Sequence, residues 1–323
     1  MKKKFFITTL GLLLGFLLIY AYKNSSPNKK ESIVLAGQTW AGSIVIEEIM
    51  KQSVENHLKI PVEIKQVSSG ALWPALEKGS AHVLADLWMP NQKQRFDKYV
   101  NKRKTVSASI SYDHAPQGFY LPTAIAKEFS IKSIQDIKGK EYLFDSDGDG
   151  KGEIWIGPFS WTASEINTSK IKQYGLDLEA ITIEQPFFLT TLKKAMKLKK
   201  PILFYYWEPE WPTAKYDLTR IEEPPCKEGH WLYVPDHPEK NRVDCAYPDA
   251  TVYVGVSNKL KEIYPQAFNF FMNFSIPIED VSSLIIQLED LPGNPPKTPQ
   301  EVARAWIENN PQHIQKWLSK AKA

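Results

Sequence analysis

Apolar and polar positions along this chain switch repeatedly between a short and a longer period. Ser32–Ala36 (SIVLA) is a continuous apolar run, as in a buried strand. Ile44, Val45, Ile49 and Val54 follow at helical spacing, with Ser43 as the expected N-cap. Val62–Val67 alternates like a half-exposed strand, Trp73–Glu77 opens a helix, and Val83–Leu87 is a strand. A second unit begins with a strand at Gln117–Leu121. It continues with a short amphipathic helix over Ile131–Gly139 and strands at Glu141–Phe144 and Ile181–Glu184. Helices over Thr162–Tyr174 and Leu189–Leu198 and a buried strand at Pro201–Trp207 complete it. Val252–Val256 is again a strand, with helices to the end. The closing helix has Thr298 as N-cap, Pro299 in its first turn and Glu301 completing a capping box. Trp306 and Trp317 fall on its apolar face and read as core.

This rhythm predicts an α/β protein with mostly parallel sheets in two lobes, ligand cleft between them. The expected boundaries are 1–31 for a leader and tether, 32–118 with 257–323 for lobe 1, and 119–256 for lobe 2. Lys2, Lys3 and Lys4 before the apolar run Phe5–Tyr20 mark an export leader. It is either a signal peptide cut after Ala21 or an uncleaved membrane anchor; with no cysteine there, a lipoprotein anchor is excluded. The protein is thus expected in the periplasm or another extracytoplasmic space. Three leader lysines account for the whole net charge of +3, so nothing points to nucleic acid. Cys226 and Cys245, in one proline-rich stretch of an exported chain, are expected to pair.

There are ten tryptophans. Four of them, Trp40, Trp88, Trp161 and Trp207, sit where predicted strands end, two in each lobe. One reading is ordinary packing. The other is a cage. A trimethylammonium head carries a charge but has no N–H to donate, so indole faces suit it better than hydrogen-bonding acids. An anionic end would need donors. Thr162 and Glu165 have capping-box spacing, and the N–H groups around Thr162, Ala163 and Ser164 could hold a carboxylate. Gln92 and Gln117 are candidate side-chain donors.

Five segments carry a resemblance: DLWMPN (Asp86–Asn91), APQGFYL (Ala115–Leu121), LFDSDGDGKGEIWIGPFSW (Leu143–Trp161), FYYWEPEW (Phe204–Trp211) and the C-terminal ARAWIENNPQHIQKWL. Together they resemble the glycine betaine/proline betaine substrate-binding proteins of ABC importers, over nearly all of the mature chain. The resemblance implies a type II periplasmic binding protein fold with a two-strand hinge. It implies a monomer that binds a small methylated amine and delivers it to the importer's transmembrane subunits. Trp88, Trp161 and Trp207 would form the cage, with the carboxylate on the backbone of Thr162 and Ala163. Trp40 is similar to the fourth aromatic of the trimethylamine N-oxide and choline branches. Gly42 stands where the choline branch has an acid, Pro116 and Gln117 where the N-oxide branch has one, and Gln92 where family members often have histidine. Glycine betaine is therefore expected first and trimethylamine N-oxide next. Choline, carnitine and dimethylsulfoniopropionate remain open.

No cofactor is required by this reading. Asp145, Asp147, Asp149 and Glu153 fall at positions 1, 3, 5 and 9 of an EF-hand-like loop, but Ile156 replaces the acid at position 12. The loop is either a weak calcium site or an Asx-rich turn capping itself. Asp236, Glu239 and Asp244 are a second, weaker candidate. A hydrolase using Glu208 and Glu210 is a rival reading, set against the lack of any nucleophile motif or zinc spacing. A membrane-tethered ligand sensor is another.

Overall fold

The structure is a computed structural model that describes residues 30–319, apart from 228, 229, 236 and 290–294. The leader lies outside the described residues. Among the described residues no helix is long and apolar enough to cross a membrane.

From Ile33 the chain runs through β1 (Ile33–Gly37), α1 (Ala41–Leu58), β2 (Val62–Gln66), α2 (Ser69–Lys78) and β3 (Val83–Met89). A short helix α3 (Lys93–Phe96), extended by a π-helical turn to Lys102, leads to β4 (Val106–Ala115). Only Pro116 separates β4 from β5 (Gln117–Pro122), which belongs to another sheet. Then come α4 (Thr123–Glu128), β6 (Gly152–Trp155), α5 (Thr162–Tyr174), β7 (Leu178–Ile181), α6 (Gln185–Leu198) and β8 (Phe204–Trp207). They are followed by α7 (Trp211–Lys215) and β9 (Leu218–Arg220). The chain returns as β10 (Ala250–Ser257) and ends in α8 (Asn258–Ile263), α9 (Pro265–Asn273), α10 (Ile278–Ile286), α11 (Pro299–Asn309) and α12 (Pro311–Leu318).

The two sheets have the orders β2-β1-β3-β10-β4 and β7-β6-β8-β5-β9. Each is mixed, not mostly parallel as the sequence rhythm suggested. β1 pairs parallel with β2 and β3, and β6 with β7 and β8; β10 and β5 are antiparallel to both their neighbours. The reason is the crossing: β5 and β10, the strands by which the chain enters each lobe, run against the parallel core. The crossings lie side by side, with Ala250 opposite Ala115. β10 inserts between β3 and β4, so residues 250–256 belong to lobe 1 rather than lobe 2, and lobe 2 begins at Gln117 rather than 119.

Lobe 1 packs helices on both faces of its sheet. Val45, Ile46, Ile49 and Met50 of α1 are fully buried against Ile33, Val83 and Val254 on one side. Leu72, Trp73 and Leu76 of α2 meet Val34, Leu84 and Leu87 on the other. Burial of each such large aliphatic side chain stabilises the fold by roughly 1.5–3 kcal/mol. Trp306 and Trp317 stack at 5.6 Å in the same core, as their spacing suggested. Thr298 and Glu301 form the anticipated capping box at α11. Lobe 2 gathers Phe119, Ile154, Ile166, Phe188 and Phe204.

Local differences from the sequence reading have local causes. Glu141–Phe144 is a 3-10 turn lying on β6 instead of a strand. It lies so close that a Cβ at Gly152 would fall 1.9 Å from the Glu141 carbonyl oxygen. The strand expected at Ile181–Glu184 is β7, three residues earlier. The cap of α1 is Trp40, not Ser43, whose hydroxyl instead donates to Glu47 at 2.7 Å.

Candidate functional site

The four tryptophans converge. Trp40 and Trp161 occupy the N-cap positions of α1 and α5 in extended backbone, so their rings project beyond the helix starts. Trp88 is near the end of β3 and Trp207 is the last residue of β8. Ring centroids are 5.6 Å apart for Trp40–Trp161, 5.2 Å for Trp161–Trp207 and 6.4 Å for Trp88–Trp207. All three pairs are edge-to-face, at 81°, 72° and 76°. The two lobe 2 rings touch each other, and each also meets one ring of lobe 1. Gly157 makes room for Trp161: its φ is +102°, and a Cβ there would lie 2.9 Å from the Trp161 ring.

All four rings line one cavity of about 80 Å³, with Gln38, Leu72, Asp86, Asn91, Thr162, Ala163 and Tyr205 among its other walls. That is far below the roughly 300–1,000 Å³ of pockets for drug-sized ligands, so the site suits a very small molecule.

Asp86 is a functional candidate that sequence reasoning missed. It is 3% exposed, on β3, within the cavity wall. Its Oδ2 accepts the indole N–H of Trp88 at 3.0 Å and a short hydrogen bond from the indole N–H of Trp40. Its Oδ1 accepts the Tyr112 hydroxyl at 2.9 Å. Burial pushes the Asp86 carboxyl above its ordinary pKa, opposed by these three donors. Glu47 and Glu210 are buried acids on which the Asp86 charge acts, and burial, the main cause, raises each to about 8. The available signal was an acid inside the otherwise apolar strand VLADL, two residues before a tryptophan.

The opposite wall has donors. Thr162 and Ala163 are the first two residues of α5, where backbone N–H groups have no intrahelical acceptor. The Ser164 N–H is turned back to the Trp161 carbonyl at 3.1 Å and is not among them. The expected Thr162/Glu165 capping box does not form: Trp161 is the cap, and Glu165 accepts a short hydrogen bond from the Tyr233 hydroxyl. Gln92 lines the cavity, but its amide N–H₂ donates to the Thr162 hydroxyl at 2.8 Å and its oxygen accepts from Trp73 at 3.2 Å. It therefore bridges the lobes. Arg95, also missed, places its guanidinium 3.4 Å from the same Thr162 hydroxyl. Gln117 is not in the cavity wall. Its amide exchanges two hydrogen bonds with Asn91, at 3.1 and 3.2 Å, and accepts from Tyr205 at 2.7 Å. It stands behind the wall and positions two residues that do line it.

Cys226 and Cys245 are joined, with Cα atoms 4.8 Å apart. The excursion they close is bound to α5 by Lys170, which is fully buried. Its ammonium pairs with Glu223 at 2.7 Å, donates to the carbonyls of Val243 and Cys245, and lies 4.7 Å from the Tyr247 ring. Burial lowers the Lys170 pKa and the Glu223 charge opposes that.

Carboxylate oxygens of Asp145, Asp147 and Asp149 lie within 4.8 Å of one another. They accept N–H groups of their own loop: Gly148 and Gly150 donate to Asp145, Asp149 to Asp147, and Lys151 to Asp149. Glu153 turns to the Ser146 N–H at 3.2 Å. In the second acidic segment Asp236 lies outside the described residues, and Glu239 and Asp244 each pair with a histidine. Glu208 and Glu210 do not meet in the cavity. Glu208 accepts from Tyr120 at 3.3 Å, while Glu210 is buried against the Gly42 N–H at 3.3 Å, because β8 ends at Trp207 and the alternation stops there.

A family model for the substrate binding domain of ABC-type glycine betaine transport systems matches residues 31–309. Among curated relatives, the glycine betaine/carnitine transport binding protein GbuC of Listeria monocytogenes is 32% identical over 46% of this chain. The chain spans 42% of that protein's length. The glycine betaine/proline betaine-binding periplasmic protein of Salmonella typhimurium is 20% identical over 78% of both chains. Lactococcal OpuAC, in its closed form with glycine betaine, superposes with a TM-score of 0.69 at 19% identity, covering 90% of this chain and all of that one. A choline binding protein of an ABC transporter, in complex with choline, superposes at 0.68 and 19% identity, covering 91% of this chain and 93% of that one. At these identities the structural matches bear on fold alone, and they place it among the type II periplasmic binding proteins.

Proposed function

Because the chain belongs to the substrate-binding domains of ABC-type glycine betaine transport systems, we propose that its cleft captures a small trimethylammonium zwitterion, glycine betaine first. Four indoles from two lobes around one small cavity carry this reading. Desolvated cation–π contacts contribute on the order of 2 kcal/mol each. Three or four of them offset the cost of association and leave roughly micromolar binding.

A second observation favours a zwitterion over choline. Asp86 lines the cavity from lobe 1, whereas Thr162 and Ala163 at the start of α5 line it from lobe 2, with the guanidinium of Arg95, a lobe 1 residue behind the wall, 3.4 Å from the Thr162 hydroxyl. A ligand positive at one end and negative at the other matches both walls. Gly42, where even a Cβ would already touch Ile285 at 3.6 Å, supplies no acid for a ligand hydroxyl. The liganded protein would then dock on the transmembrane subunits of an importer.

The test is titration of intrinsic tryptophan fluorescence with glycine betaine, trimethylamine N-oxide, choline and proline. Glycine betaine should give the tightest saturable change and unmethylated glycine none. Equal responses to glycine and glycine betaine would rule out the cage.

A further inference from the structure

We propose that Asp86 is the specificity-determining counter-charge of this site, selecting a cationic head over a neutral head of the same shape. The inference rests on the trimethylammonium reading above and deepens it.

An indole N–H can only donate, so the two hydrogen bonds at Oδ2, with a third from the Tyr112 hydroxyl at Oδ1, favour the carboxylate form. The group is buried, and among the described residues it forms no ion pair. The Asp86 charge acts on two further buried acids, Glu47 from α1 and Glu210 from the turn before α7, both of which burial favours in the protonated form, and the Tyr112 phenol of β4 faces it too. A buried carboxylate with no cationic side chain beside it is costly unless a cation meets it. Three hydrogen bonds offset part of that cost. A cationic head held by the indoles meets the rest, because Asp86 lines the same cavity.

The carboxylate acts in two further ways. It fixes the planes of Trp40 and Trp88 through their N–H groups. By drawing on those N–H groups it also leaves more electron density on the ring faces, which strengthens their attraction for a cation. A merely structural acid would serve any head that fits the cage. A counter-charge distinguishes nitrogen from carbon.

The measurement is calorimetric affinity for glycine betaine and for 3,3-dimethylbutanoate, in which carbon replaces the quaternary nitrogen. It is made on the wild-type protein and on Asp86→Asn and Asp86→Ser, with melting temperatures alongside. The serine variant carries the test if the asparagine amide, facing two donors with its own N–H, prevents folding. Either neutral variant should lose about tenfold or more of the preference for betaine over the isostere, beyond whatever loss looser rings impose on both ligands alike. Equal weakening of both ligands would reduce Asp86 to a structural prop and overturn the inference, as would an unchanged preference. A wild-type protein that binds no betaine would instead sink the ligand assignment itself, and this inference with it.

Discussion

The two lobes hold their halves of the cage by different physics. In lobe 1, Trp40 and Trp88 are tied to a single buried carboxylate by hydrogen bonds from their indole nitrogens. In lobe 2, Trp161 and Trp207 rest on other rings: Trp207 stacks on Tyr206 at 4.6 Å, and Trp161 meets Trp155 edge-on at 6.0 Å. Polar anchoring sets ring orientation through one titratable group. Aromatic packing spreads the same task over several neighbours and is insensitive to charge. The lobe 1 half is therefore the half that a single charge change can retune.

The sharpest way to break this contrast is at the ring that joins both halves. Trp207 touches Trp161 and Trp88. Trp207→Ala should weaken betaine binding by about a hundredfold or more in fluorescence-competition or calorimetric titration, alongside a fall in melting temperature because the ring is buried in the lobe 2 core. Next in size is a stability effect confined to lobe 2. Lys170→Met strands the Glu223 carboxylate, whose side chain is 3% exposed, and should destabilise the protein by about 3–5 kcal/mol in denaturant unfolding. Normal stability of that variant would mean that the buried pair does not organise the excursion over α5.

A smaller effect is expected at the bridge between the lobes. Gln92→Ala removes the 2.8 Å bond to Thr162 and should speed ligand release about three- to tenfold in stopped-flow displacement, with a lesser change in association rate. The smallest concerns pH. Glu47 and Glu210 have folded-state values raised by burial from 4.5 to about 8. Between those limits the folded state holds protons that the unfolded chain has released, so stability is greatest below pH 4.5 on their account and falls as pH rises toward 8. Wild-type melting temperature should decline between pH 5 and pH 8.5 more steeply than that of the Glu47→Gln, Glu210→Gln double variant. Parallel slopes would contradict the burial of both acids.

Much of this site was legible in the sequence because its signals are local. A tryptophan where a strand runs out, followed two residues later by proline, occurs at Trp88 and Trp207 and needs no distant partner to be noticed. The misreadings at the site involve distant partners. Thr162 and Glu165 have the spacing of a capping box, yet Tyr233, far along the chain, takes Glu165. Gln117 looked like a free donor, yet Asn91 and Tyr205 consume its amide. Asp86 drew no notice because its meaning lies in two indoles and a phenol brought from β3, β4 and the loop before α1. The lobe boundary was misplaced for the same reason: nothing within VYVGV tells which sheet the strand will enter.

That last strand has a consequence for how the molecule assembles. The lobe 2 sheet is built from one unbroken stretch, β5 to β9. The lobe 1 sheet is missing its fourth member until β10 is delivered, leaving β3 and β4 without the strand that belongs between them. For a chain arriving amino end first, order follows from connectivity: the inserted segment can mature while its host waits. The aromatic-packed half of the clamp is the earlier product, and the acid-anchored half is completed only by the tail of the polypeptide.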